Sequence, residues 1–174
     1  MKYLGLVLLC FSMISCKVET ETPQDSAKAA ISQLEKDIKE HDEIDTAIAR
    51  VLTADYEAYY ADYPKDSISP YYLSRAADIY KEMPGKVLKS ITTYNRVIKN
   101  YPLHQLAARS TFMIGFVFDT KLNDKDRASR SYEHFIETYP NNPRKADAQN
   151  LLNMIQDTLS PEQRVEMWKQ QNNV

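Results

Sequence analysis

From about residue 26 onward, apolar residues recur at three- and four-residue intervals, the spacing of one helical face. Ile31, Leu34 and Ile38 form one stripe, and Ile44, Ile48, Val51 and Leu52 the next. Neither is regular enough for a coiled coil, which needs several sustained heptads. Punctuation then falls at steady intervals. Pro64 to Ser69 reads as a loop, with Ser69 as N-cap and Pro70 at the first helical position. Pro84-Gly85 and Asn123-Asp124 read as turns, and Pro102 ends a further helix. Asn142-Pro143 repeats the cap-plus-proline signature, and Ser160-Pro161-Glu162-Gln163 is a capping box. The pattern predicts eight helices, over about 26–40, 44–62, 70–82, 86–100, 103–119, 125–138, 143–157 and 161–171. No segment alternates long enough to make a strand, so the predicted fold class is all-α.

A repeat underlies this spacing. YEAYYADYP (Tyr56 to Pro64), YNRVIKNYP (Tyr94 to Pro102) and YEHFIETYP (Tyr132 to Pro140) share one form. Their Tyr-Pro pairs begin at positions 63, 101 and 139, an interval of 38 residues each time. Each copy reads as the last two turns of a helix and the proline that stops it. Tyr56, Tyr59 and Tyr63 lie at i, i+3 and i+7 and so share a face; Tyr94, Val97 and Tyr101 do the same, as do Tyr132, Phe135 and Tyr139. That face is expected to pack inward, with the final tyrosine set against the next pair. A helix pair recurring at this period is the mark of a helical solenoid.

These residues resemble tetratricopeptide repeats, which place a small residue and an aromatic in the first helix, Ala-x3-aromatic in the second, and a closing proline. Ala77 with Tyr80, and Gly115 with Phe118, match the first helix. Ala128, Tyr132 and Pro140 match the second, as do Ser90, Tyr94 and Pro102 with Ser in place of Ala. Small residues are needed where adjacent helices approach closely. The period exceeds the usual 34 of the family. The resemblance covers about residues 44–157 and implies a right-handed helical solenoid of about three helix pairs with a C-terminal capping helix, in which Val165, Met167 and Trp168 supply the cap. The long repeats look most like outer-membrane lipoproteins of the BamD kind and the C-terminal repeats of CpoB-like division coordinators.

The N-terminus has another character. MKYLGLVLLCFSMISC carries one positive charge at Lys2 and an apolar run from Tyr3 to Met13, the length of an export signal and too short to span a bilayer. Met13-Ile14-Ser15-Cys16 resembles a bacterial lipoprotein signal, with Met13 where Leu is preferred. The resemblance implies removal of residues 1–15 and acylation of Cys16. Cys10 and Cys16 are the only cysteines, so a chain cut at that point holds no internal disulfide. Residues 16–25 read as a lipidated flexible tether and 26–172 as the helical domain. Lys17 after the cysteine suggests, by resemblance to lipoprotein sorting, the outer membrane and its periplasmic face, while Glu19 and Glu21 hint at export to the cell surface.

Charge alters little: 22 Lys+Arg face 24 Asp+Glu, with no basic patch to mark nucleic acid. Glycine numbers three, which argues against phosphate-cradling loops. His41, His104 and His134 lack the spacing of a zinc pair and read as surface or boundary residues. Asp124 and Asp126 read as a solvated turn, and no motif frames a nucleophilic serine. The expectation is a non-enzyme without metal, cofactor or small-molecule substrate. By the resemblance, first helices line a partner-binding groove: Tyr71 and Asp78 in one, Arg109, Phe112, Phe116 and Asp119 in the next, Met154 in the third. Phe112 and Phe116 read equally as core beneath the N-terminal helices. The implied role is a membrane-anchored adaptor that binds envelope proteins, in outer-membrane protein assembly or, alternatively, in coordinating cell-wall synthesis or division.

Overall fold

The computed structural model describes residues 21–39, 45–158 and 160–172. Eight helices and no strand occur among them: α1 Pro23–Lys39, α2 Thr46–Asp62, α3 Ser69–Glu82, α4 Val87–Asn100, α5 Gln105–Thr120, α6 Lys125–Thr138, α7 Lys145–Thr158 and α8 Pro161–Asn172. From α1 to α7 each helix packs on its neighbours in sequence, and α3 also meets α5. The architecture is the all-α, tetratricopeptide-like solenoid expected: pairs α1–α2, α3–α4 and α5–α6, followed by α7. The signal and Cys16 lie outside the described residues. α1 begins at Pro23, so the last three residues assigned to the tether are helical.

The repeated face packs inward as its spacing requires. Tyr56, Tyr94 and Tyr132 are each fully buried, as are Val97 and Phe135, and Tyr59 is nearly so. Tyr63, Tyr101 and Tyr139 all end their helices with φ near −130° (−127, −134, −124) and ψ near 55° (56, 54, 59). Each donates its N–H to the carbonyl four residues back, so the helix stops in one geometry three times. The Tyr101 hydroxyl reaches back one repeat and donates to the Pro64 carbonyl at 2.7 Å.

Small residues mark the close approaches. Ala77, Ser90 and Ala128 are fully buried. At Gly115 an added Cβ would lie 2.8 Å from two ring carbons of Tyr132. The hairpin turns within pairs repeat too: Gly85 has φ 69° and Asn123 φ 50°, both left-handed and one repeat apart. Gly and Asn are the residue types that tolerate this region best.

The loops between pairs share a device of which the sequence reading foresaw only the Asn142 cap. Asp66, His104 and Asn142 stand at one repeat position, and each accepts, through its side chain, the N–H two residues on: Ile68 at 3.1 Å, Leu106 at 3.2 Å and Arg144 at 3.0 Å. His104 is therefore a cap, set at the start of α5. Ser69, expected as an N-cap, is instead the first residue of α3 and donates its hydroxyl to the Tyr63 carbonyl. The capping box forms as expected: Gln163 N–H donates to Ser160 Oγ at 3.2 Å and Ser160 N–H to Gln163 Oε1 at 2.8 Å.

Two further expectations shift. Val51 is 50 % exposed, because Leu52 takes the inward position on α2. α8 is present, yet Val165 and Trp168 are more than half exposed; Ala148, Leu152 and Ile155 of α7 close the core built on α5 and α6. The Met167 side chain lies outside the described residues.

Gly115→Ala should lower the unfolding midpoint in urea. Alanine gains roughly 1 kcal/mol of helix propensity, but the buried Tyr132 ring cannot yield without overpacking that costs about 1–3 kcal/mol. A stability equal to or above the parent's would show that the approach relaxes freely.

Asp66 also joins the first pair to the second. It accepts from the Tyr59 hydroxyl and the Gln24 amide and pairs with Lys28 at 2.8 Å. Hydrogen bonds from Lys28, Tyr59 and the Ile68 N–H hold its carboxyl well below the usual range. A depressed folded value means stability is full above the unfolded value, about 3.9, and is lost as pH falls below it. Asp66→Asn should flatten that acid limb in a pH series of thermal melts while lowering stability at neutrality; an unchanged limb would remove Asp66 from the account.

Candidate protein-binding face

Along the first helices α3 and α5 the chain uses a helical period to bring polar residues to one stripe. Asp78, at the centre of α3, is only 13 % exposed and is crowded with donors. Arg109 of α5 gives it two hydrogen bonds from Nη2, each 3.0 Å, and one from Nη1 to the Ser74 hydroxyl at 3.0 Å. The buried Tyr94 hydroxyl of α4 donates to the same carboxylate, and Arg75 lies 3.7 Å away. Burial, with the Asp78 charge and hydrogen bond behind it, pushes the Tyr94 hydroxyl far up, so it stays a donor. One carboxylate thus ties α3, α4 and α5 together, and such charge-assisted bonds are the stronger kind.

The sequence-predicted residues separate into three groups. Asp78 and Arg109 are brought together, but they satisfy each other. Phe112 is 6 % exposed and packs on Tyr132 and Phe135 with centroids 5.8 and 5.5 Å away, so it belongs to the core. That corrects its place in the groove: one turn of α5 points it at the second helix α6, and the Arg144 guanidinium covers its ring at 5.5 Å. Asp119 is 11 % exposed and pairs with Lys125 of α6. Phe116 is half-buried, with the Lys81 ammonium 5.9 Å from its ring centre. Tyr71 and Met154 are exposed, at 38 % and 64 %. Surface remaining for a partner on this face therefore centres on Tyr71, Phe116 and Met154.

Beside Arg109, where α5 and α7 begin, a cavity of about 340 Å³ is lined by Gln105, Leu106, Arg109, Asn142 and Arg144. The helical spacing of α5 could not reveal it, because Asn142 and Arg144 come from the loop before α7. No group of three His, Cys, Asp or Glu that could hold a metal occurs among the described residues.

Phe116 occupies the repeat position that Asp78 holds one unit earlier. Its counterpart tyrosine suffers: the Tyr132 hydroxyl is buried without a hydrogen-bond partner. The two tyrosines should respond oppositely to loss of the hydroxyl. Tyr94→Phe removes a bond to a charged acceptor and should cost about 1.5–3 kcal/mol, whereas Tyr132→Phe removes an unsatisfied group and should be neutral or stabilising. Chemical denaturation of both variants checks this; equal losses would contradict the assignment.

The family model for the tetratricopeptide repeat matches residues 71–104 and 110–142. No curated protein matches the chain. The first match runs through α3 and α4 and the second through most of α5 and all of α6. Repeats of this kind are typically interaction scaffolds that bind other proteins. The pairs α3–α4 and α5–α6 therefore carry the tetratricopeptide-repeat signature, within a solenoid built on the same plan.

Proposed function

We propose that the chain is a non-catalytic adaptor of the bacterial envelope, lipid-anchored through Cys16 at the outer membrane, on its periplasmic face, and that it aids assembly of outer-membrane proteins. The observation that carries the adaptor reading is the pair of matched repeats whose first helices present a partly exposed aromatic, Phe116, with Tyr71 and Met154 exposed on flanking first helices. Apolar and aromatic groups set among polar ones are what protein-binding surfaces use. The anchor reading rests on the sequence of residues 1–16. None of the described helices is long and apolar enough to cross a membrane.

A photoreactive residue at Phe116 in living cells, with a control at exposed Lys65, tests the face. An adduct to a barrel-assembly protein supports the proposal. An adduct to a wall-synthesis or division protein moves the adaptor to that process, and no adduct at Phe116 removes this face. In parallel, Cys16→Ser should abolish incorporation of labelled palmitate and release the protein from membranes; unchanged membrane retention would remove the anchor.

A further inference from the structure

Successive second helices flank two clefts, and only the first has a carboxylate in its lining. The first, between α2 and α4, is a cavity of about 270 Å³ that contains its own carboxylate. Glu57 Oε1 accepts from the Tyr80 hydroxyl at 2.8 Å and from Lys89 Nζ at 2.9 Å. Its other oxygen accepts from Arg96 at 3.1 Å. Burial pushes Glu57 up, but the bonds from Lys89, Tyr80 and Arg96 outweigh it and hold the group below its ordinary value. The site is a built receptor for a carboxylate, already filled.

The second cleft, between α4 and α6, has a volume of about 300 Å³. One repeat on, Lys89 becomes Arg127, Arg96 becomes His134, Thr92 becomes Arg130 and Tyr80 becomes Phe118. The stacking survives the change: Lys89 lies 4.2 Å from the Tyr80 ring centre, and Arg127 lies 4.6 Å from that of Phe118. Glu57, however, becomes Asn95, and no carboxylate lines the cleft. Arg127 pairs with Asp124 and Arg130 with Asp126, both at 2.6 Å, outside the cleft lining. The Arg127 and Arg130 side chains are 51 % and 42 % exposed, and each guanidinium has more donors than its pair uses. Ile98, in place of Tyr60, gives the cleft an apolar wall beside Phe118.

We propose that the α4/α6 cleft receives an acidic side chain of a partner protein, seated where Glu57 sits one repeat earlier, with a neighbouring apolar side chain of the partner against Ile98 and Phe118. The internal site indicates the occupant's chemistry: Lys89, at the repeat position of Arg127, already holds a carboxylate in the preceding unit. This surface is walled by the second helices α4 and α6, with Thr111, Ile114 and Phe118 of α5 between them. It is separate from the Tyr71, Phe116 and Met154 face, and neither reading depends on the other.

The test uses the full chain in detergent micelles and fluorescence anisotropy of two labelled peptides, acetyl-Leu-Glu-Leu-Lys-amide and its Gln counterpart. The Glu peptide should bind roughly tenfold more tightly, the worth of a charge-assisted bond. Asn95→Glu supplies the carboxylate internally; it should abolish binding while melting at or above the parent's temperature, which separates blocking from misfolding. Asn95→Gln should bind as the parent does. Equal binding of the two peptides, no binding of either, or binding unaffected by Asn95→Glu would each overturn the proposal. So would displacement of the Glu peptide by phosphatidylglycerol vesicles but not by excess unlabelled Glu peptide, which would make the cleft a lipid site.

Discussion

A tyrosine ring buried down to its hydroxyl is the constraint on which this solenoid turns. Tyr56, Tyr94 and Tyr132 each bring a large ring and one polar atom to the centre of a helix pair. The ring demands a small partner on the facing helix, which is why Gly115 opposes Tyr132 within van der Waals range of any added carbon. The hydroxyl demands an acceptor, because an unmet buried donor is costly. Glu35 answers for Tyr56 and Asp78 for Tyr94, and the acceptor in turn recruits cations such as Arg109. Much of the polar network between repeats descends from that single need. Where Phe116 replaces the acceptor, the need goes unmet and an aromatic surface gains a place on the first-helix face.

Much of the architecture was legible in the sequence because a solenoid writes its period into the chain. The Tyr-Pro interval located helix ends, and the i, i+3, i+7 faces located the core. Boundaries came within a few residues, with the largest shifts at helix starts, where Pro23 opens α1 and Ser69 lies inside α3 rather than ahead of it. Of the caps, Asn142 was legible beside its proline but Asp66 and His104 were not, since three different side chains perform one task and only their shared repeat position unites them.

The candidate face was harder to read. Helical spacing places residues on a stripe, but it does not say which of them are consumed by neighbours. Asp78 and Arg109 meet across two helices, and Phe112 turns toward α6, facts set by tertiary packing. Comparison between repeats recovers part of what spacing loses. A position that holds an acid in one unit and an amide in the next, as Glu57 and Asn95 do, is a difference that helical spacing does not display.

Packing that runs mainly from each helix to the next in sequence has a kinetic side. Little loop-closure entropy stands between one native contact and the next, so a chain of this kind has low contact order and belongs among fast folders. Opening is correspondingly local. α3 to α6 are gripped on both sides, whereas α8, with its described side chains in solvent, has the fewest buried contacts to hold it. Amide protons should therefore grade in protection along the chain rather than exchange as one block, highest in the two matched repeats and falling toward α8.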